Sequence, residues 1–251
     1  MIEALILAGE RPQKNPFGVP YKALVSVCGK PMFARVAEAL AQSRLFGRIC
    51  VSTREELFEK LRLLSPLPLV FFPQASSPSV SVFFALDQIG NFPVFLTTAD
   101  HALLTGEIVS HFLEGAQKIR GDLGVGVVPF SVVKEAYPEA RRTTYRLREG
   151  RFCSANLYFC KGPQVKRILY LWREIEARRK SPLRIVKRFG LMALLHYLSG
   201  RLGLEEAFKK VSQAVGCRVY PVVLPFARAA VDVDDPSDLA LAQKILACKE
   251  G

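Results

Sequence analysis

The sequence predicts an α/β fold: a Rossmann-like, doubly wound, mostly parallel sheet carrying a basic helical insertion. Three observations predict it. Apolar strand-like runs alternate with helix-like segments through the first half of the chain, the pattern of βα units around a parallel sheet. Half of the 251 residues are hydrophobic, enough for a substantial core in one large domain. Positive charge is concentrated: residues 161–218 hold 14 Lys or Arg against four Glu, a net +10 of the chain's +12. An acidic ligand is therefore expected near that segment.

Ile2–Ala8 is the first strand. It stops at Gly9 and enters a loop containing Glu10, Arg11, Pro12, Lys14, Asn15 and Pro16. A buried strand feeding a glycine-started cationic loop presents backbone N–H groups and positive charge to phosphates. Lys22 precedes a second apolar stretch, and Gly29-Lys30-Pro31 opens a helix with Pro31 at its first position. That helix spans Met32–Leu45, with Met32, Phe33, Val36, Ala37 and Leu40 on one face. Arg48–Ser52 reads as a strand, Arg54–Leu64 as a helix, Leu67–Phe72 as a strand, and Pro73–Ser79 as a Ser- and Pro-rich loop. Ser81–Ile89 resumes helical spacing, and Pro93–Thr98 is a strand leading to Asp100. Thr105 caps a helix over Gly106–Ile119, and Leu123–Pro129 is the next strand.

Beyond residue 130 the texture changes. Thr143–Phe152 and Ala155–Cys160 read as antiparallel strands with a turn at Glu149-Gly150. Pro163–Val215 is helical and basic, interrupted at Ser181-Pro182 and Gly200–Gly203. A strand near Arg218–Leu224 leads to a final helix begun by Pro236 and Asp238. The expectation is one domain over residues 1–251 with a helical insertion at about 163–215.

Some classes are disfavoured. No apolar run approaches the roughly 18 residues needed to cross a bilayer, and Glu3 within a strand-like N-terminus does not read as a signal peptide. Six scattered cysteines without a CxxC pair point to a reducing, cytoplasmic setting in which thiols act as small core residues.

In doubly wound sheets, ligands sit outside the carboxyl ends of the strands. Gly9, Ser76–Ser79 and Asp100 all follow such ends, so they are expected on one rim. Asp100 is read as a metal ligand because Thr105 is better placed as the cap. Asp232, Asp234, Asp235 and Asp238 cluster before a helix, where at least one serves as a cap or dipole partner. His101 is expected behind Asp100 or facing solvent, and Trp172 in the core of the helical segment. Arg141 and Arg142 either meet the acceptor or are exposed.

Five segments then fall in a recognisable order: LILAG at 5–9, Lys22, GKP at 29–31, LTTADHALLT at 96–105 and VDVDDPSDL at 231–239. Together they resemble the molybdopterin-guanylyltransferase-like nucleotidyltransferases of the NTP-transferase superfamily, over most of residues 2–130 and 218–245. The resemblance implies transfer of a nucleotidyl group from an NTP, CTP or GTP being favoured, to a phosphorylated acceptor, with Mg²⁺ and release of pyrophosphate. Ala8, Gly9, Glu10 and Arg11 would form the triphosphate loop, with Arg11 and Lys22 as catalytic cations. Asp100 and Asp234 would hold the metal, Asp232 being the competing choice for the second ligand. Ser76 and Ser79 would meet the base, Asn156 would face the substrate, and Arg178, Arg179 and Lys180 would receive the acceptor phosphate. One departure is Glu10, which stands where the family places a second glycine.

Such chemistry needs partners held in line and charge neutralised on the phosphoryl oxygens. Carboxylates supply oxygen ligands to Mg²⁺, and Lys or Arg supplies the remaining positive charge. No nucleophilic Ser, Cys or His is required. Two alternatives remain. Glu10 suggests a relative that binds nucleotide without turnover. The basic segment, where Gly200–Val215 can pass for part of a helix-turn-helix, suggests nucleic-acid binding. Nucleic acid is not the favoured partner; peripheral membrane contact stays open.

Overall fold

Buried strands send alternate side chains to two helical layers, and this sorts the chain. In the computed structural model, which describes residues 2–9, 16–177 and 199–247, strand β1 (Glu3–Leu7) places Ala4 and Ile6 in one core cluster and Leu5 in another. The hairpin β2 (Ser26–Val27) and β3 (Lys30–Pro31) leads into α1 (Met32–Ser43), β4 (Ile49–Thr53) and α2 (Phe58–Arg62). Then come β5 (Leu69–Pro73), α3 (Pro78–Ile89), β6 (Val94–Thr98), α4 (Gly106–Lys118) and β7 (Leu123–Pro129). The chain continues through α5 (Phe130–Ala136), β8 (Tyr145–Leu147), β9 (Gly150–Cys160) and α6 (Lys166–Ala177). It closes with α7 (Leu204–Val215), β10 (Val219–Val223) and α8 (Pro236–Ala247).

The main sheet has eight strands in the order β10-β7-β9-β6-β1-β4-β5, with β8 added on β9. β1 pairs in parallel with β4 and β6, β4 with β5, and β7 with β10. β9 runs antiparallel between β6 and β7, so the sheet is mixed but mostly parallel. Residues of α1, α4 and α8 pack on one face. Residues of α3, α6 and α7 pack on the other, which is the doubly wound arrangement expected. α6 and α7 are the described helices of the basic stretch; its interruption at Ser181-Pro182 lies outside the described residues.

Several boundaries differ from the sequence reading. Gly29-Lys30-Pro31 does not open the helix. Cys28 and Gly29, both at positive φ, make a two-residue hairpin turn, and Pro31 is extended at ψ 142°, so it flanks the helix instead of being its first residue, and α1 starts at Met32 as read. The Arg54–Leu64 helix splits into a 3₁₀ turn at Glu55–Leu57 and the short α2. α3 starts at Pro78, with the Ser77 hydroxyl accepting from the Val80 N–H, so the Ser-rich loop is shorter than expected. The two strands read at 143–160 are a short β8 and one long β9, turning at Arg148 and Glu149, with a register shift opposite Val125 and Val127 instead of a break. Sequence pattern also missed α5, because its seven residues are too few to show helical periodicity.

Cys50, Cys153, Cys160 and Cys217 are free and buried, as small core residues are expected to be. Burial pushes their thiols up to about 11 or 12. Among the described residues no helix is long and apolar enough to cross a membrane.

The strand that delivers Asp100 is anchored by Phe95, fully buried with ring centroids 5.6 Å from Phe46 and 5.9 Å from Phe112. Phe95→Ala should lower the unfolding free energy by about 3–5 kcal/mol, measured by urea denaturation.

Candidate active site

At the carboxyl ends of β1, β4, β5 and β6 lies a cavity of about 580 Å³. Leu7 and Gly9 reach it from β1, Ser52 from β4, Gln74 to Pro78 from beyond β5, and Thr98 and Asp100 from β6. Its other walls include Lys22, Asn156, Trp172, Asp232 and Asp234. The strand-end rule therefore located the site.

Backbone bonding explains the N-terminal wall. The Ala8 N–H donates to the Ser52 carbonyl at 2.9 Å, and the Ala8 carbonyl accepts from the Thr53 hydroxyl at 2.8 Å. Ala8 is thus still tied to β4, with both backbone groups used, and it does not line the cavity. Gly9 is exposed there, and a Cβ on it would stand 3.3 Å from Gln74 Oε1.

The centre of the site is Lys22, on a 3₁₀ turn (Lys22–Leu24) anchored by buried Ala23. Its ammonium donates to Asp100 Oδ2 at 2.6 Å and to Asp234 Oδ1 at 2.5 Å. The two carboxylates, 134 residues apart in sequence, therefore meet on one cation beside the glycine turn. Burial works against the Lys22 charge, but Asp100 and Asp234 more than offset it, leaving its pKa above the ordinary value. Asp100 is oriented by the Thr98 hydroxyl, which donates to Oδ1 at 2.5 Å. The Val233 N–H donates to the Asp100 carbonyl at 3.0 Å, docking the 232–234 segment onto the end of β6.

Asp232 points elsewhere. Its Oδ1 accepts from Arg142 Nη1, and its Oδ2 accepts from Asn156 Nδ2 at 3.2 Å. Burial, then the neighbouring charge of Asp100, pushes its pKa up to about 6 despite Arg142. Asn156 sits next to the β9 register shift with φ +50°, a conformation unusual for a residue other than glycine, and its N–H donates to the Ser154 hydroxyl. Asp235 caps α8, its Oδ1 accepting from the Ser237 and Asp238 N–H groups at 2.8 and 3.1 Å. So of the four aspartates, Asp235 starts the helix, Asp234 meets Lys22, and Asp232 and Asp238 share Arg142.

Among the sequence-predicted residues, Gly9, Lys22, Ser76, Asp100, Asn156 and Asp234 converge on the cavity. Ser79 does not. It falls in the first turn of α3, almost fully buried, with its hydroxyl 3.0 Å from that of Ser77. Glu10, Arg11, Lys14, Asn15, Arg178, Arg179 and Lys180 lie outside the described residues. His101 faces the interior, not solvent, with neither ring nitrogen in a hydrogen bond of good geometry although the Arg228 and Ala229 backbone lies beside it. Burial pushes its pKa down to about 4, so near neutral pH it carries no charge. Arg142 is neither exposed nor a cavity wall, its side chain being 8% exposed. Trp172 lines the cavity as well as packing against the second core cluster. Gln74 and Thr98 were missed, although their positions at the ends of β5 and β6 mark them under the same rim rule.

Two carboxylates already sharing one cation offer hard oxygen ligands suited to Mg²⁺. Among the described residues no group of three or more His, Cys, Asp or Glu is arranged to hold a metal. Asp235→Ala, which touches the helix start and not the cavity, should cost about 1 kcal/mol of stability in denaturant melts. Ligand binding at the cavity should be unchanged.

A strand-end cavity with an acid pair, a lysine and a glycine turn belongs to the class of doubly wound proteins that handle phosphates. The chain belongs to the MobA-like NTP transferase domain family, whose model matches residues 4–150. A solved structure described as a hypothetical transferase from Thermus thermophilus is 31% identical, covering 95% of this chain and all of that one, with a TM-score of 0.81. Two more distant structures share the fold. A CMP:2-keto-3-deoxy-manno-octonic acid synthetase complexed with CTP is 14% identical at TM-score 0.58, covering 98% of this chain and 99% of that one. The 4-diphosphocytidyl-2C-methyl-D-erythritol synthase of Anaerococcus prevotii is 9% identical at TM-score 0.63, covering 98% and 96%. No curated protein matches the sequence.

Proposed function

We propose that the cavity binds an NTP and transfers its nucleotidyl group to a phosphorylated acceptor, with Mg²⁺. One observation carries the reading: Lys22 stands between Asp100 and Asp234 at the mouth of the Gly9 turn. An acceptor phosphate oxygen attacks the α-phosphorus, the bond to the β-phosphate bridge breaks, and pyrophosphate leaves. Asp100 and Asp234 are the residues that would hold Mg²⁺, which when bound supplies charge neutralisation on the phosphates. Gly9 leaves its backbone open to the triphosphate, and Gln74 and Ser76 stand where the base or ribose would meet the β5 end. Lys22, released from the carboxylates, turns its ammonium to the α-phosphoryl oxygens and stabilises the charge developing there. Trp172 supplies an aromatic wall that excludes water from one side. CTP and GTP are the favoured donors, and CTP is the first to test because a protein of similar fold was solved with it.

Pyrophosphate release measured with each of the four NTPs, Mg²⁺ and a panel of sugar and alcohol phosphates should show turnover with one donor. Nucleotide binding without turnover across the panel would favour a relative that has lost catalysis. Asp100→Asn should lower turnover about 100-fold or more while the circular dichroism spectrum is unchanged; wild-type turnover in that variant refutes the assignment. Lys22→Met should have opposite effects on two measurements. Turnover should collapse, while Mn²⁺ affinity without nucleotide, read by electron paramagnetic resonance, should rise because a competing cation is gone. Unchanged or weaker Mn²⁺ binding would contradict the position given to Lys22.

A further inference from the structure

We infer that Arg142 is a positioning residue for the acid pair, holding the 232–238 segment so that Asp234 faces Asp100 across Lys22. This rests on the reading of Asp100 and Asp234 proposed above. Arg142 comes from the segment between α5 and β8 and does not line the cavity. Its guanidinium nevertheless spans the whole turn that carries Asp234. Nη1 donates to Asp232 Oδ1, and Nη2 donates to the Asp232 carbonyl at 3.0 Å and to Asp238 Oδ1 at 2.6 Å. The second oxygen of Asp238 accepts the Asp234 N–H at 3.0 Å. One buried fork thus fixes both ends of the turn, and the carboxylate it grips at one end in turn fixes the backbone of Asp234.

Asp234 needs such a support. Its side chain is 63% exposed, so packing does little to orient it, whereas those of Arg142 and Asp238 are 8% and 12% exposed. The Val233 bond to the Asp100 carbonyl sets where the segment docks. The Arg142–Asp238 pair sets how the next residue points. The arrangement also diverts Asp232 from the ammonium of Lys22, which leaves Lys22 with two carboxylate partners instead of three. The planar guanidinium presents its donors in a fixed fork that spans two carboxylates and a carbonyl, whereas a lysine amine is a single point charge without that fork.

The test uses Tb³⁺ as the ion probe, with luminescence excited through Trp172, the chain's single tryptophan and a wall of the same cavity. Removing the charge at Arg142 would leave two carboxylates without their partner and threaten the fold, so the variants are Arg142→Lys and Asp238→Asn. The lysine keeps the charge without the fork. The asparagine keeps an oxygen on one side only, so its NH₂ faces either Arg142 or the Asp234 N–H, donor against donor. Both variants should bind Tb³⁺ roughly 10- to 100-fold more weakly than wild type, the usual effect of losing a group that orients a metal ligand. CTP binding in EDTA should stay within about twofold. A merely structural role would lower the melting temperature and leave Tb³⁺ affinity alone. Wild-type Tb³⁺ affinity in either folded variant overturns the inference, and if Arg142→Lys fails to fold, Asp238→Asn decides. A wild-type protein that binds no Tb³⁺ overturns this inference and the reading of the acid pair together, whereas binding by wild type and variants alike overturns this inference only.

Discussion

The site depends on a single cation between two acids. Asp100 arrives on the end of a central strand, Asp234 on a turn near the end of the chain, and two carboxylates brought this close repel unless something stands between them. The Lys22 ammonium does, with both contacts charge-assisted and short. Neither burial nor secondary structure by itself would place Asp234 there. The fold has thus set aside, in the free protein, a small oxygen-lined place for positive charge at the rim of a parallel sheet.

Around that centre, two kinds of support divide the labour. The parallel strands β1, β4, β5 and β6 fix one half of the rim through ladder bonds, so the ends of these strands hold Gly9, Gln74 and Asp100 rigidly side by side. The other half hangs from side chains. Arg142 ties Asp232 to Asp238, Asn156 reaches Asp232 from a strained position in β9, and the Val233 N–H joins the segment to β6. A substitution in the first half would act through packing. In the second, it would act through the side-chain bonds that hold Asp232 and Asp238.

The concentration of positive charge in residues 161–218 acquires a setting from this geometry. α6, which opens the stretch, packs on the sheet face formed with α3 and sends Trp172 to the cavity wall. The described start of the basic stretch, α6, therefore reaches the site.

What the sequence determined by itself was whatever depends on local pattern. Alternating strand and helix periodicities announced the doubly wound sheet, and Leu123–Pro129 and the Thr105 cap emerged as read because propensity and environment agree there. The rim rule placed Gly9, Ser76 and Asp100 together from order alone. Local pattern went astray where a nearby choice was close in energy: Pro31 suits a first helical residue, yet the Cys28-Gly29 turn drew it into a hairpin, and Ser79 looked like loop until Ser77 took the cap. Tertiary structure alone decided which aspartate faces Lys22, that β9 runs antiparallel inside the sheet, and that Arg142 is interior. Those outcomes turn on contacts between residues from 23 positions apart (Pro129 and Phe152) to 212 (Lys22 and Asp234), through charge and backbone bonds that leave no periodic trace along the chain.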